Sequence, residues 1–194
     1  MGELELRYGD NGRGGDRGEA LFERWLGNTE IPNFYTVRHS LRIPRPPGKK
    51  PMDGDVDFVI ATGTNLVLAD AKFWKSGEVM WSTPDGQHMR GDQLHDDSPS
   101  RNMQIALERY SALLPRCNVS ALVIFLPSDR ASSAVLDVSR LRWPGDIQSY
   151  SASQSYTEIL RRLGRPMTLG VPHALDPAMD ELLTAMQKSN SIDR

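Results

Sequence analysis

The chain has 194 residues, a formal net charge of −2, and 39% hydrophobic and 25% charged residues. These values are typical of a globular protein of one domain with at most an appendage, exclude a disordered chain, and require any nucleic-acid-binding function to concentrate its cations locally. Cys117 is the only cysteine, which excludes an internal disulfide and a cysteine-based zinc cluster.

Residues 1–15 become rich in glycine towards their end, and we expect them to form a flexible arm. They lack the basic and apolar regions of a signal peptide. No apolar run in the chain is long enough to cross a membrane. A soluble cytoplasmic protein without membrane contact is therefore expected.

A helix is predicted to begin at Asp16 and to end at Gly27. Its apolar stripe consists of Leu21, Phe22, Trp25 and Leu26. Glu19 lies three residues after Asp16, which is the spacing of a capping box, and it also shares a helix face with part of the stripe. The residues leave both roles of Glu19 open: it caps the helix, or it brings a carboxylate to the sheet.

Residues 34–43 are predicted to form a strand, and a proline-rich loop follows. The strand end and the loop carry the cations Arg42, Arg45, Lys49 and Lys50. One interpretation is a solvated linker, and the other is a loop that follows a phosphate backbone. In the second interpretation these cations, together with Lys75, form a nucleic-acid-binding surface.

The central feature of the sequence is a predicted hairpin in residues 53–77, where two apolar, strand-like runs flank a turn. A hairpin symmetric about the middle of that turn places Asp57 opposite Asp70, and Asp55 opposite Lys72. All four polar side chains then share one face, because side chains two apart on a strand point the same way. The reverse face is apolar enough to be core. Its residues are Val56, Phe58, Ile60, Val67, Ala69, Ala71 and Phe73.

Opposed carboxylates on neighbouring strands lie about 5 Å apart at Cβ and repel each other. Asp57 and Asp70 have apolar neighbours and therefore need a neutralising group. A hard divalent cation can supply it, because such ions prefer oxygen ligands and accept open, water-bearing coordination. Lys72 adds a positive charge for a phosphate oxygen or a water. The constellation predicts metal-assisted attack on a phosphodiester, and an ordinary cross-strand ion network is the alternative interpretation.

The remaining chain predicts further elements of an α/β fold. A helix is expected from Ser98 to about Pro115, with Gln104 one step off its apolar stripe. Residues 119–126 are typical of a strand buried on both faces, so the strand–helix–strand order predicts a right-handed crossover with parallel pairing. The other predictions are a short hairpin around residues 84–86, strands at 135–138 and 147–150, helices at 156–163 and 177–187, and a polar tail at 189–194.

Four motifs resemble the nuclease-related domain (NERD) branch of the PD-(D/E)xK nuclease superfamily. They are the opening segment from Gly15 to Glu19, the strand that begins at Asp57, the strand that carries Asp70 and Lys72, and the helix start from Asn102 to Gln104. The resemblance covers about residues 12–126. The chain departs from the family pattern at Asp70, where glutamate is commoner, and at Met103, where proline is usual.

The resemblance implies a restriction-endonuclease-like α/β fold, in which a mixed central sheet is flanked by helices. Its αβββαβ core would occupy residues 16–150, and a C-terminal helical extension, residues 151–188, would pack on the same domain. The implied function is a metal-dependent nuclease that hydrolyses phosphodiester bonds in nucleic acid, DNA rather than RNA.

The resemblance also implies roles for individual residues. The ligands of Mg²⁺ or Mn²⁺ would be Asp57, Asp70 and the backbone carbonyl of Ala71. Lys72 would orient the attacking water, and Glu19 would supply an outer ligand or hold Lys72. Gln104 would position water or phosphate.

A second function remains open beside the nuclease. The fold could be a catalytically silent nucleic-acid-binding or protein-interaction module, although such a module gains nothing from opposed acids. Nucleic acid is the expected partner, and a helicase or a recognition subunit would suit a nuclease domain of this size. The sequence leaves the oligomeric state open.

Overall fold

The computed structural model describes residues 10–45, 48, 54–74, 79–83, 87–90, 93–94, 100–127, 137–164 and 173–192. The helices in these ranges are α1 (Asp10–Gly27), α2 (Ile31–Phe34), α3 (Asn102–Leu113), α4 (Ala152–Leu163) and α5 (Pro177–Ile192). The strands are β1 (Thr36–Arg42), β2 (Asp55–Thr62), β3 (Asn65–Trp74), β4 (Val79–Ser82), β5 (His88–Arg90), β6 (Gln93–Leu94), β7 (Asn118–Pro127), β8 (Asp137–Arg140), β9 (Arg142–Trp143) and β10 (Ile147–Ser151). None of the described helices is long and apolar enough to cross a membrane.

The main sheet has six strands in the order β1-β2-β3-β7-β10-β9. β1, β2 and β3 pair antiparallel, whereas β7 pairs parallel to β3 and β10 pairs parallel to β7. The parallel pairing predicted for the strand at residues 119–126 is therefore confirmed. The expected α/β class with a mixed central sheet flanked by helices is confirmed as well.

A smaller sheet has the order β6-β5-β4-β8. It contains the hairpin predicted around residues 84–86, because β4 and β5 pair antiparallel. The tip of that hairpin lies outside the described residues.

Two hydrophobic clusters cover the two faces of the main sheet. Face A is covered by α3 and α5, through residues such as Met103, Tyr110 and Leu183. Face B is covered by α1 and α4, through residues such as Phe22 and Ile159. β3 and β7 contribute alternate side chains to both faces, which explains their continuous apolar runs.

Helix α1 begins at Asp10 instead of Asp16, so residues 10–15, expected in the flexible arm of residues 1–15, are helical, and residues 1–9 lie outside the described residues. Glu19 consequently lies inside the helix, and the alternative in which it caps a helix that begins at Asp16 is wrong. The packing of the apolar stripe on face B stabilises the helix, and such tertiary contacts routinely override the low helix propensity of glycine.

The C-terminal helices are longer than predicted. α4 begins at Ala152 because Gln154 Oε1 accepts the Ser151 N–H at 3.2 Å, a capping-box contact that the predicted start at residue 156 missed. α5 continues to Ile192, through most of the predicted tail. Arg162 of α4 ties this helix to the sheet, since its Nη1 donates to the Ala121 carbonyl at 2.7 Å.

Candidate active site

The hairpin of β2 and β3 has the predicted register only over part of its length. Pairing runs from Thr62 opposite Asn65 to Phe58 opposite Ala69, and it ends there. Asp57 and Asp70 are next in this register but lie beyond the ladder. Asp57 and Asp70 are therefore not paired across the strands as predicted, because regular pairing of β2 and β3 ends one residue before them.

The neighbouring strand β1 is irregular at the same level. His39 pairs with Phe58 and Leu41 pairs with Val56, but Ser40 is skipped and has a positive φ of 48°. Side chains change faces at this level, because Val56 packs on face A although Phe58 packs on face B. The prediction that Val56 shares a face with Phe58 is therefore wrong.

The same irregularity corrects the position of Asp55. It is exposed and lies opposite Arg42 in the β1–β2 ladder, not opposite Lys72. Because neighbouring side chains alternate, Asp55 lies on the other side of β2 from Val56. Asp55 therefore does not share the face of Asp70 and Lys72.

The Asp57 carboxylate fills the gap where the ladder ends. Its Oδ2 accepts the backbone N–H of Ala71 at 2.7 Å. A backbone donor on β3 thus has a side-chain partner at the point where backbone pairing with β2 has ended. This contact ties Asp57 to the residue next to Asp70.

Asp70 and Lys72 lie on a regular part of β3, opposite Val123 and Phe125 of β7. Both of these β7 residues belong to face A. Lys72 Nζ is 2.7 Å from Asp70 Oδ2, and the two side chains are 30% and 12% exposed. Asp70 Oδ2 is closed to solvent and accepts no well-aligned hydrogen bond within the described part of the chain, so the ammonium acts on it as a counter-ion.

The pKa of Asp57 is raised well above its ordinary value. Burial is the largest cause, and the negative charges of Asp70 and Glu19 add to it, against the opposing effects of Lys72 and of the Ala71 N–H. Burial alone would lower the pKa of Lys72, but the carboxylates of Asp70 and Asp57 together raise it. The cluster is therefore rich in negative charge and partly desolvated.

Glu19 of α1 contributes to the electrostatics of both Asp57 and Lys72. Glu19 lies one turn before Phe22, which is buried on face B, and its negative charge acts on the cluster. The structure thus brings together Asp57, Asp70, Ala71 and Lys72 through close contacts, and Glu19 is linked to them by its charge.

Gln104 has other contacts. Its Nε2 donates to Glu108 Oε1 at 3.1 Å on the same helix. Its aliphatic part lies against Gly145 in the turn between β9 and β10, where an added Cβ would be 2.9 Å from Gln104 Cγ. Neither contact of Gln104 is with Asp57, Asp70 or Lys72.

The predicted nucleic-acid-binding cations are described only in part. Arg45 is exposed and Arg42 is partly buried at the end of β1. Lys49, Lys50 and Lys75 lie outside the described residues.

Trp143 is a neighbour of the cluster that the sequence did not predict. Its ring centroid is 5.8 Å from Lys72 Nζ. It lies on β9, a two-residue strand that joins the sheet only through β10. Neither the composition nor the spacing of this short segment signals a position beside Lys72.

The side chains present fit a cation with open coordination. Within the described ranges, no group of three His, Cys, Asp or Glu side chains is close enough to hold a metal. Asp57, Asp70 and the Ala71 carbonyl would supply oxygen ligands, and hard cations such as Mg²⁺ complete their coordination with water. A cation at Asp70 Oδ2, which is closed to solvent, would take the place of the Lys72 ammonium that now lies 2.7 Å from this atom.

No protein-family model matches this chain, and neither curated proteins nor solved structures include a match to it.

Proposed function

We propose that this protein is a metal-dependent hydrolase that cleaves phosphodiester bonds in nucleic acid, with DNA as the substrate class. The observation that carries the proposal is the meeting of two carboxylates and one ammonium, from Asp57, Asp70 and Lys72, where β2 and β3 separate. Regular pairing of β2 and β3 ends just before the two acids, at Phe58 and Ala69. Partly desolvated charges of this kind occur preferentially at functional sites.

Each residue has a defined part in the proposed reaction. Asp57, Asp70 and the carbonyl of Ala71 would hold Mg²⁺ or Mn²⁺. The bound ion would supply Lewis acidity and a water of lowered pKa. Lys72 would move from Asp70 to a phosphate oxygen or to the attacking water, because the ion takes over the neutralisation of Asp70. Glu19 would keep Lys72 protonated and close to the acids.

The proposal extends to family and partners. The motifs around Glu19, Asp57 and Lys72 support membership of the NERD branch, and the mixed sheet is compatible with a restriction-endonuclease-like fold. The exposed Arg45 would contact the phosphate backbone together with Lys49, Lys50 and Lys75. We propose a cytoplasmic protein that works beside a helicase or recognition subunit.

The test is cleavage of plasmid and short duplex DNA by the full chain in Mg²⁺, in Mn²⁺ and in a chelator. Asp70→Asn and Lys72→Met are expected to lower the rate by at least about 100-fold, because each removes a group that acts on the developing charge. Asp180→Asn is the matched control, since Asp180 is an exposed carboxylate at the start of α5. Circular dichroism checks that each variant is folded.

Cleavage at the parent rate by folded Asp70→Asn and Lys72→Met would contradict the proposal. One observation favours a second candidate, a catalytically silent nucleic-acid-binding or protein-interaction module: Lys72 Nζ lies 2.7 Å from Asp70 Oδ2 and can neutralise this carboxylate by itself. Calorimetric titration with Mn²⁺ separates the two candidates. A parent protein that neither binds Mn²⁺ nor cleaves DNA would support the silent module.

A further inference from the structure

The Lys72 ammonium has two neighbours of different chemistry, a carboxylate and an indole ring. On one side, Asp70 Oδ2 is 2.7 Å from Nζ. On the other, the ring centroid of Trp143 is 5.8 Å from Nζ. The face of an indole ring attracts a cation, so both contacts favour the same position of a long and otherwise flexible side chain.

Trp143 is itself held from two directions. Its Nε1–H donates to the backbone carbonyl of Ser100 at 3.1 Å. Its ring meets the edge of Phe125, with centroids 6.1 Å apart, and Phe125 lies directly opposite Lys72 in the β3–β7 ladder. Trp143 is only 5% exposed. These contacts therefore hold the ring beside Phe125 and Lys72, which lie opposite each other on β7 and β3.

The start of α3 is joined to the same ring. Ser100 uses its carbonyl for Trp143 and its Oγ for the N–H of Asn102 at 3.1 Å. Two residues further along, Gln104 packs on the backbone of Gly145, in the turn that follows Trp143. The segment from Ser100 to Gln104 and the segment from Trp143 to Gly145 thus touch at two points.

We infer that Trp143 is a positioning residue that holds the Lys72 ammonium beside Asp70 and connects it to the start of α3. The inference rests on the proposed function only for its effect on the cleavage rate. The position of Lys72 itself can be tested without metal or substrate. Trp143 is assigned no contact with metal or substrate, and it acts on the reaction through Lys72.

The test observes Lys72 directly, by carbon–proton NMR of the full chain labelled with [ε-¹³C]lysine in a chelator. Lys72→Arg assigns the signal. The readout is the carbon-13 relaxation of the Lys72 ε-methylene group, which reports the mobility of the side chain and, unlike a chemical shift, does not change merely because an aromatic ring current is lost. Trp143→Leu removes the ring, whereas Trp143→Phe keeps a ring and loses the Nε1–H donor.

Trp25→Leu is the matched control, because Trp25 stacks on Phe22 on the opposite face of the sheet. The Lys72 ε-methylene group is expected to become at least about twofold more mobile in Trp143→Leu, to keep most of its order in Trp143→Phe, and to stay unchanged in Trp25→Leu. Trp143→Met keeps more side-chain volume and replaces Trp143→Leu if that variant does not fold. Unchanged mobility of the Lys72 ε-methylene group in a folded Leu or Met variant overturns the inference.

Kinetics then separate this inference from the proposed function. Trp143→Leu should lower kcat about tenfold with little change in KM, since a misplaced catalytic group affects the chemical step more than substrate binding. If the parent cleaves no DNA but Lys72 becomes more mobile in Trp143→Leu as expected, the hydrolase proposal fails and the positioning role stands. If the parent cleaves DNA and the mobility of Lys72 does not change, the hydrolase proposal stands and the positioning role fails.

Discussion

At the scale of the residue, Asp57 combines a strongly raised pKa with a specific hydrogen bond. Its pKa is raised by burial and then by Asp70 and Glu19, while the Ala71 N–H donates to its Oδ2 at 2.7 Å. The hydrogen bond holds the carboxylate in place. Burial and the neighbouring negative charges make its ionised form unfavourable, so its neutralisation is favoured. A proton or a cation that reaches Asp57 therefore stabilises the folded protein.

The first prediction concerns Asp57→Asn without divalent ions. Because the folded state holds the Asp57 proton more tightly than the unfolded chain, the parent loses stability as the pH rises above the ordinary value of 3.8. Asn keeps the shape and an acceptor for the Ala71 N–H, but it carries no charge. We expect Asp57→Asn to be more stable than the parent at pH 8, by about 1–2 kcal/mol, and the gain to shrink towards pH 4.

Denaturation by urea at pH 4, 6 and 8 in a chelator measures this gain. Asp180→Asn is the control, since an exposed carboxylate in the first turn of α5 favours the helix and its loss brings no gain. Mg²⁺ should stabilise the parent and have no such effect on Asp57→Asn. A variant less stable than the parent at pH 8 would contradict the raised pKa of Asp57.

At the scale of the element, the start of α3 is fixed by close packing against glycine backbone. An added Cβ at Gly145 would lie 2.9 Å from Gln104 Cγ, and Gly145 also has a positive φ of 85°. Gly63, in the turn between β2 and β3, has a positive φ of 53° with nothing within 4 Å of an added Cβ. Substitution of Gly63 therefore tests backbone strain alone, whereas substitution of Gly145 tests backbone strain together with crowding of a side chain.

The second prediction follows from this pair of glycines. Gly63→Ala is expected to lower the free energy of unfolding by about 1 kcal/mol, from the left-handed backbone alone. Gly145→Ala should lower it by about 1–2 kcal/mol more, because the new methyl group also crowds Gln104. Shortening the neighbour in the double variant Gly145→Ala/Gln104→Ala should recover that second part.

A double-mutant cycle by chemical denaturation measures the coupling between the two positions. Equal costs of Gly63→Ala and Gly145→Ala, or no recovery on shortening Gln104, would show that α3 and the β9–β10 turn are not in tight contact.

At the scale of the whole molecule, the candidate site draws on three distant parts of the chain. α1 contributes Glu19, the central strands contribute Asp57, Asp70 and Lys72, and β9 contributes Trp143. The C-terminal helix α5 packs on face A with Leu183, which is 1% exposed. The C-terminal segment is thus part of the core on which the site is built.

The third prediction tests this dependence through Leu183→Ala. Loss of a fully buried side chain leaves a cavity, and we expect the free energy of unfolding to fall by about 2–4 kcal/mol. The transition should remain single and cooperative, since α5 and the sheet share one core. Leu113→Ala is the matched control, because Leu113 is 45% exposed and its truncation should have a much smaller effect. A separate, earlier transition in Leu183→Ala would show instead that α5 unfolds on its own.

Local patterns in the sequence determined most of the elements. The alternation around residues 55–73, the turn between the two runs, the apolar stripe of α3 and the buried run of β7 each specify their structure within a few neighbouring residues. They also placed Asp70 and Lys72 on one face of β3, because that part of the strand is regular. The rule that every second side chain of a strand points the same way is sufficient for this placement.

Only the tertiary structure decided the geometry of the candidate site. The skipped Ser40, the end of the β2–β3 ladder at Phe58 and the anchoring of Asp57 on the Ala71 N–H are absent from any local period. The contact between Trp143 and Lys72 depends on the pairing order of β3, β7, β10 and β9. Contacts across such sequence separations follow from how whole elements pack, so the spacing of residues along the chain does not contain them.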